Sequence, residues 1–291
     1  MAAPVQGQID DVGERLVVGS KSSSGIFGEV TGGLTWTQSS DDYPDSTFNP
    51  SSYFPPPWTS VSTTQDIDGV EYHLLVGPNN GVGKPGPHLC AWEQGVWSCD
   101  SLDAAYAAGE AEKVDYFAGS FAPTATNRVG WVLSRVKGQA QPTAAWRLDL
   151  SATPQLQKVH SIPSAAVGVT HSDSETAWAF GKGLLAQMTP SAVTLLAPFA
   201  DLASRTFLDA ATVDGTLILL SAKGTNPELF DLVTLREPAN PGPSASWTIT
   251  PLVSTARKFD SLAAGLNGDL YVLGRSVNGV DLMTLHFTPA N

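Results

Sequence analysis

The stretch GIFGEVTGGLTWTQ, residues 25–38, decides the fold. Gly32-Gly33-Leu34-Thr35-Trp36 reads either as a lone tight turn between two strands or as part of a repeated unit. The rest of the chain favours the repeat. Short β-rich runs end in a small residue at Gly19 (RLVVGS), Gly77 (HLLVG), Ser134 (GWVLS), Gly181 (AWAFG), Ser221 (LILLS) and Gly274 (LYVLG). The six copies are spaced by 58, 57, 47, 40 and 53 residues.

Periods of that length match units of about four strands each arranged around an axis. The flanks agree. Runs of small residues precede four of the copies: FAGS at 117–120, VGVT at 167–170, DAAT at 209–212 and SLAAG at 261–265. Innermost strands crowd toward a shared axis, where small side chains fit. A third strand follows each copy (GIFGEV, HLCAWE, AAWRLDL, LLAQM, LFDLVTL, LMTLHF). A fourth follows in most (LTWTQ, GVWSCDSL, QLQKVHSI, AVTLLAPF, SWTITPLV). The expected fold is all-β: a six-bladed β-propeller of mostly four-stranded blades, one domain over residues 1–291 with a loop insertion at 39–60. A β-sandwich of short strands is the alternative. Leu102–Val114 carries a helical pattern that Gly109 weakens. Ring closure stays open between MAAPVQ supplying the outer strand of the last blade, the favoured reading, and a three-stranded last blade.

GIFGEVTGGLTWTQ then falls where strands three and four of the first blade meet. It resembles the Asp-box repeat of sialidases and related propellers, whose pattern runs Ser-x-Asp-x-Gly-x-Thr-Trp. Gly33, Thr35 and Trp36 match, while Glu29 stands for the Ser and Thr31 for the Asp. The resemblance covers about a dozen residues in one blade. It implies a propeller and no particular activity, because such boxes are structural and lie away from the site. A sialidase-type site would also need three arginines on the substrate carboxylate. Arg15, Arg128, Arg135, Arg205, Arg257 and Arg275 are present, none on a family motif, and the Arg-Ile-Pro signature is absent.

Composition limits the partners. Of 291 residues, 16 are Lys or Arg and 28 Asp or Glu, for a net charge of −12. Binding to a phosphate backbone depends on neutralisation by Lys and Arg, so a nucleic-acid partner is not expected. No 18-residue apolar run is present, so membrane insertion is not expected either. The start, MAAPVQGQIDD, lacks a basic region followed by an apolar core and does not read as a signal peptide; a mature start with an added Met is an equal reading.

The two cysteines lie in LCAWEQGVWSC. Folded at Gln94-Gly95, this hairpin sets Glu93 against Val96, Trp92 against Trp97 and Cys90 against Cys99. In a non-hydrogen-bonded pair the two thiols come close enough for a disulfide. That reading favours a secreted, periplasmic or cell-surface protein. Two packed free thiols in a cytosolic chain are the alternative.

Candidate site residues follow from the loops. The connections expected on one face of the ring are long in blades one to three: 39–60, 78–87, 100–113 and 136–142. Long loops without regular structure often carry function. The first holds Asp42, Asp45, Tyr53 and Trp58; rings can stack on the apolar faces of sugars while carboxylates accept their hydroxyls. A Pro-rich flap folded onto the blades is the structural alternative. Arg135 and Arg275 each follow the small residue ending a second strand, which makes both candidates for reaching the binding face. The plain reading of Arg135, Arg275, Arg205 and Lys258 is repeat-related surface charge. No Gly-x-Ser-x-Gly elbow and no His-Glu-x-x-His helix occur. The five histidines show no ligand spacing, so neither a metal nor a cofactor is expected. The function read from the sequence is a non-enzymatic propeller that binds a glycan or a protein through its aromatic, loop-rich face. A glycan-active hydrolase or lyase with a dispersed site is the alternative.

Overall fold

The computed structural model describes residues 7–12, 15–20, 27–31, 35–38, 60–65, 71–76, 87–93, 96–102, 114–121, 129–150, 154–172, 175–196, 200–213, 215–223, 229–236, 248–255, 258–264, 269–276 and 279–286. Among these residues the strands form antiparallel meanders, each running in simple sequence order. The first contains β1 (Gly7–Val12), β2 (Arg15–Ser20), β3 (Phe27–Thr31) and β4 (Thr35–Gln38). The second contains β5 (Ser60–Gln65), β6 (Glu71–Val76), β7 (His88–Glu93) and β8 (Val96–Ser101). The third contains β9 (Val114–Phe121), β10 (Val129–Val136), β11 (Thr143–Asp149) and β12 (Gln155–Ile162). The fourth contains β13 (Gly168–His171), β14 (Ala177–Gly181), β15 (Leu184–Met188) and the short β16 (Val193–Leu195). A helical turn, α1 (Ala200–Ala203), leads into β17 (Arg205–Val213), β18 (Thr216–Lys223), β19 (Leu229–Arg236) and β20 (Thr248–Thr255). The last meander has three described strands: β21 (Phe259–Ala264), β22 (Asp269–Ser276) and β23 (Gly279–His286).

Each repeated run ending in a small residue is the second strand of its sheet. Those of the third, fourth and fifth sheets are buried on both faces, which is why they read as continuous apolar runs. In β14 all five residues are buried, and in β10 the first six are. The hydrophobic clusters lie between adjacent sheets. Leu74 and Val76 of β6 pack with Tyr116 and Val132 of the third sheet. Trp131, Leu133 and Ala145 pack with Ala177, Ala186 and Met188. Phe180 and Leu185 pack with Phe207 and Leu219. Ile218 and Leu232 pack with Leu262 and Val272. Full burial of one such aliphatic or aromatic side chain contributes about 1.5–3 kcal/mol.

The first strand of each sheet lies beside the first strand of the next, and β21 lies beside β1. These strands run side by side in the same direction. His171, the last residue of β13, donates its backbone N–H to Ser120 Oγ, near the end of β9, at 3.2 Å. Thr212 Oγ1, near the end of β17, donates to the His171 carbonyl at 2.6 Å. The small residues have a steric cause. A Cβ on Gly119 would lie 2.8 Å from both Leu74 Cδ2 and Val76 Cγ2 in the neighbouring sheet. A Cβ on Gly168 would lie 2.3 Å from Phe180 Cζ. At the end of β14, a Cβ on Gly181 would lie 2.7 Å from the Ala165 carbonyl oxygen.

In the Asp-box-like stretch, β3 and β4 pair as expected, with Thr31 opposite Thr35. The turn at 32–34 lies outside the described residues, and so do the helical pattern at 103–113 and the start of the chain at 1–6 proposed as an outer strand.

Candidate functional site

Antiparallel order fixes which connections share a face. The ends of second and fourth strands lie together, and the next first strand begins there. Connections 39–59, 77–87, 102–113 and 137–142 therefore leave the same face, between β4 and β5, β6 and β7, β8 and β9, and β10 and β11. The last of these is described and exposed, with a turn in which the Gln139 N–H donates to the Val136 carbonyl at 2.9 Å. Gly138, at φ 78°, occupies the left-handed region that this turn requires. Thr143, fully buried at the start of β11, anchors the same face. Its Oγ1 donates to the Ser164 carbonyl at 2.9 Å and accepts the Ala166 N–H at 3.0 Å, tying the third sheet to the entry of β13.

Of the sequence-derived candidates, Asp42, Asp45, Tyr53 and Trp58 lie outside the described residues. Arg135 and Arg275 occupy equivalent places, each next to last in a second strand. Arg135 is half-buried, with its guanidinium carbon 5.1 Å from the centre of the Phe117 ring. Asp115 is its register partner on β9. Arg275 pairs in register with Val280.

Arg205 differs from the surface-charge reading. It is 3% exposed at the start of β17. Its Nη1 donates to Asp231 Oδ2 at 2.7 Å and to Ser221 Oγ at 2.9 Å. Asp201 of α1 stands 3.3 Å from Nε and also accepts from Lys223 Nζ at 3.3 Å. The buried guanidinium is thus matched by a buried carboxylate, which such a charge needs to remain inside a protein. Ser221 is the small residue ending its repeat, and Ser134 has the same place in the third sheet, where its Oγ accepts the Trp146 Nε1–H at 2.7 Å. Nearer the axis, Asp209 Oδ2 accepts from Ser261 Oγ at 2.7 Å and from the Leu262 N–H at 2.9 Å, linking β17 to β21. The Arg205 and Trp146 contacts tie strands within one sheet, and the Asp209 contacts join two sheets.

Cys90 and Cys99 face each other in the β7–β8 register, as do Trp92 and Trp97, and Glu93 and Val96. Cys90 is buried. His160 Nε2 donates to the Thr189 carbonyl at 2.6 Å, and the ring stacks on Trp131 with centroids 6.1 Å apart. Among the described residues no group of three His, Cys, Asp or Glu side chains converges as metal ligands would. No helix among them is long and apolar enough to cross a membrane.

No protein-family model matches the chain. No curated protein matches it either. Solved structures do. A streptogramin B lyase structure is 8% identical, with a TM-score of 0.52, over 100% of this chain and 85% of that one. The SapL1 lectin in complex with alpha methyl fucoside is 10% identical, TM-score 0.52, over 99% of this chain and 98% of that one. Regucalcin, a calcium-binding protein from Agrobacterium tumefaciens, is 8% identical, TM-score 0.56, over 94% of this chain and 83% of that one. Identities this low establish the fold alone. The chain has a β-propeller fold.

Proposed function

We propose that the chain is a six-bladed propeller that binds a glycan, without chemistry, through the face carrying 39–59, 77–87, 102–113 and 137–142. The observation that carries this reading is the convergence of those four connections on one face of the first three sheets. The first of them combines aromatics with carboxylates, Tyr53 and Trp58 with Asp42 and Asp45. Stacked rings supply most of the energy in such a surface, and carboxylates orient the hydroxyls. The six-blade count is supported by the order of first strands, β1, β5, β9, β13, β17 and β21, with β21 returning beside β1. The lectin likeness is compatible with sugar binding and does not decide it.

A disulfide between Cys90 and Cys99, and with it an oxidising compartment, belongs to the same proposal. It is supported by their direct opposition in the hairpin and by the burial of Cys90.

A glycan array probed with the labelled chain tests the reading. Retention on a restricted group of glycans, unaltered after prolonged incubation, is the expected result. Cleavage of a retained glycan would assign the hydrolase or lyase reading instead. Failure to retain any glycan would remove sugars as the ligand class.

A further inference from the structure

The innermost strands of the later sheets share an irregularity that β1 and β5 lack. In β9, Tyr116 pairs with Ser134 and Ala118 with Leu133, so Phe117 is an extra residue. In β17, Phe207 pairs with Ser221 and Asp209 with Leu220, leaving Leu208 extra. In β21, Phe259 pairs with Gly274 and Ser261 with Leu273, leaving Asp260 extra. The fourth sheet has the same feature just before β13. There the Val167 N–H donates to the Phe180 carbonyl at 2.8 Å, although Gly168 is the register partner of Phe180. Four consecutive sheets therefore carry a bulge at one height, opposite the end of the second strand, on the half of the molecule where the long connections emerge. Bulges re-aim side chains and gather beside binding sites.

The side chains so displaced are not buried. Val167 is 49% exposed and Leu208 37% exposed, while Phe117 and Asp260 are intermediate. Val167, just before β13, and Leu208, on β17, place exposed apolar side chains among the innermost strands. Beside this apolar arc stands a cation. The Arg135 guanidinium lies over the Phe117 ring, and a basic residue also follows the small residue in the fourth and sixth sheets, at Lys182 just after β14 and at Arg275 in β22. Among the described residues, Asp115 opposite Arg135 and the exposed Lys137 are the other charged groups of the third sheet on this side. Thr143 fixes the approach to Val167 through Ser164 and Ala166, so the arc rests on an anchored backbone.

We infer that Phe117, Val167 and Leu208 form the floor of a binding site at the mouth of the ring, for a carboxylate-bearing sugar of the uronate type. The apolar C–H face of the pyranose lies on the three bulged side chains. Arg135 receives the carboxylate, a group its planar guanidinium matches better than a neutral hydroxymethyl. Asp260, at the same height in the next sheet, is an acceptor for ring hydroxyls. This rests on the reading of the loop-bearing face as a glycan surface and adds the sugar class and the residues beneath it.

Ligand-observed saturation-transfer NMR with methyl glucuronide and methyl glucoside tests the inference on the full chain. The expected result is millimolar binding of the glucuronide, with the glucoside weaker by about tenfold, the equivalent of one good charged contact. Arg135→Gln is expected to remove that preference. Val167→Ser and Leu208→Ser, both at exposed positions, should each weaken both sugars while the melting temperature stays within the error of the wild type. Absence of glucuronide binding, equal binding of the two sugars, or indifference to all three substitutions would overturn the inference. If 40–57 is replaced and array binding is lost while these variants still bind as the wild type does, the glycan-face reading stands and the bulge site falls. If the variants abolish the glucuronide preference and the replacement does not, the bulge site stands.

Discussion

Arg205 and Asp231 form an ion pair of 2.7 Å inside the fifth sheet, with side chains 2% and 7% exposed. One is the first residue of β17 and the other lies on β19, and the Ser221 hydroxyl sits between them on β18. The pair ties three strands at the end of the sheet where the long connections leave in other sheets. Removing one partner leaves the other charge buried and unmatched. Arg205→Ala is therefore expected to cost about 3–5 kcal/mol. The double variant Arg205→Met with Asp231→Leu should recover much of that loss, because it removes both charges together. Urea unfolding of the three proteins measures this. A single variant as stable as the wild type would show the pair to be dispensable.

Asp209 joins two sheets rather than three strands of one. Its carboxylate receives Ser261 Oγ and the Leu262 N–H, and Asp209→Ala would leave that N–H without its partner. A loss of about 1–3 kcal/mol is expected. Hydrogen exchange should localise the effect: the Leu262 amide is expected to exchange faster, with β9 and β10 little changed.

Gly119 and Gly168 test the crowding of the inner strands. Gly119→Ala places a methyl 2.8 Å from Leu74 and Val76, and Gly168→Ala drives one into the Phe180 ring. Overpacking of this kind costs about 1–3 kcal/mol. Gly138→Ala is the control: nothing lies within 4 Å of its Cβ, and the penalty comes only from φ +78°. Thermal melts should rank Gly168→Ala as the most damaging of the three.

The repeat was legible because packing imposes it. The second strands β10, β14 and β18 are buried on both faces, so their apolar runs are unbroken, and β14 ends in a small residue because the chain entering β13 crosses there, as Gly181 against the Ala165 carbonyl shows. The register of LCAWEQGVWSC was legible because a two-residue loop admits one pairing. The bulges were not. One extra residue in VDYFAGSF or RTFLDAATV breaks no pattern along its own strand and appears only against the partner strand. The burial of Arg205 was hidden for a similar reason. Its partner is 26 positions away, and nothing local distinguishes it from a surface arginine. Tyr53 and Trp58 remain candidates on sequence and topology alone, since their connection lies outside the described residues.

Cys90 and Cys99 give a covalent test. Intact-mass measurement after alkylation, with and without reductant, is expected to show both thiols blocked in protein from an oxidising host and both alkylated after reduction. Reduction should lower stability by about 2–3 kcal/mol, as expected for opening a short loop. Two thiols that alkylate freely before reduction would exclude the bond.

Recognition is proposed to belong to the face where the four long connections leave. The most direct measurement is the affinity, for a glycan retained on the array, of a variant in which residues 40–57 are replaced by a short Gly/Ser linker. A cooperative melt like that of the parent and loss of binding are expected, because Tyr53 and the carboxylates of Asp42 and Asp45 are gone. Binding at parental affinity by a cooperatively folded variant would contradict the proposal.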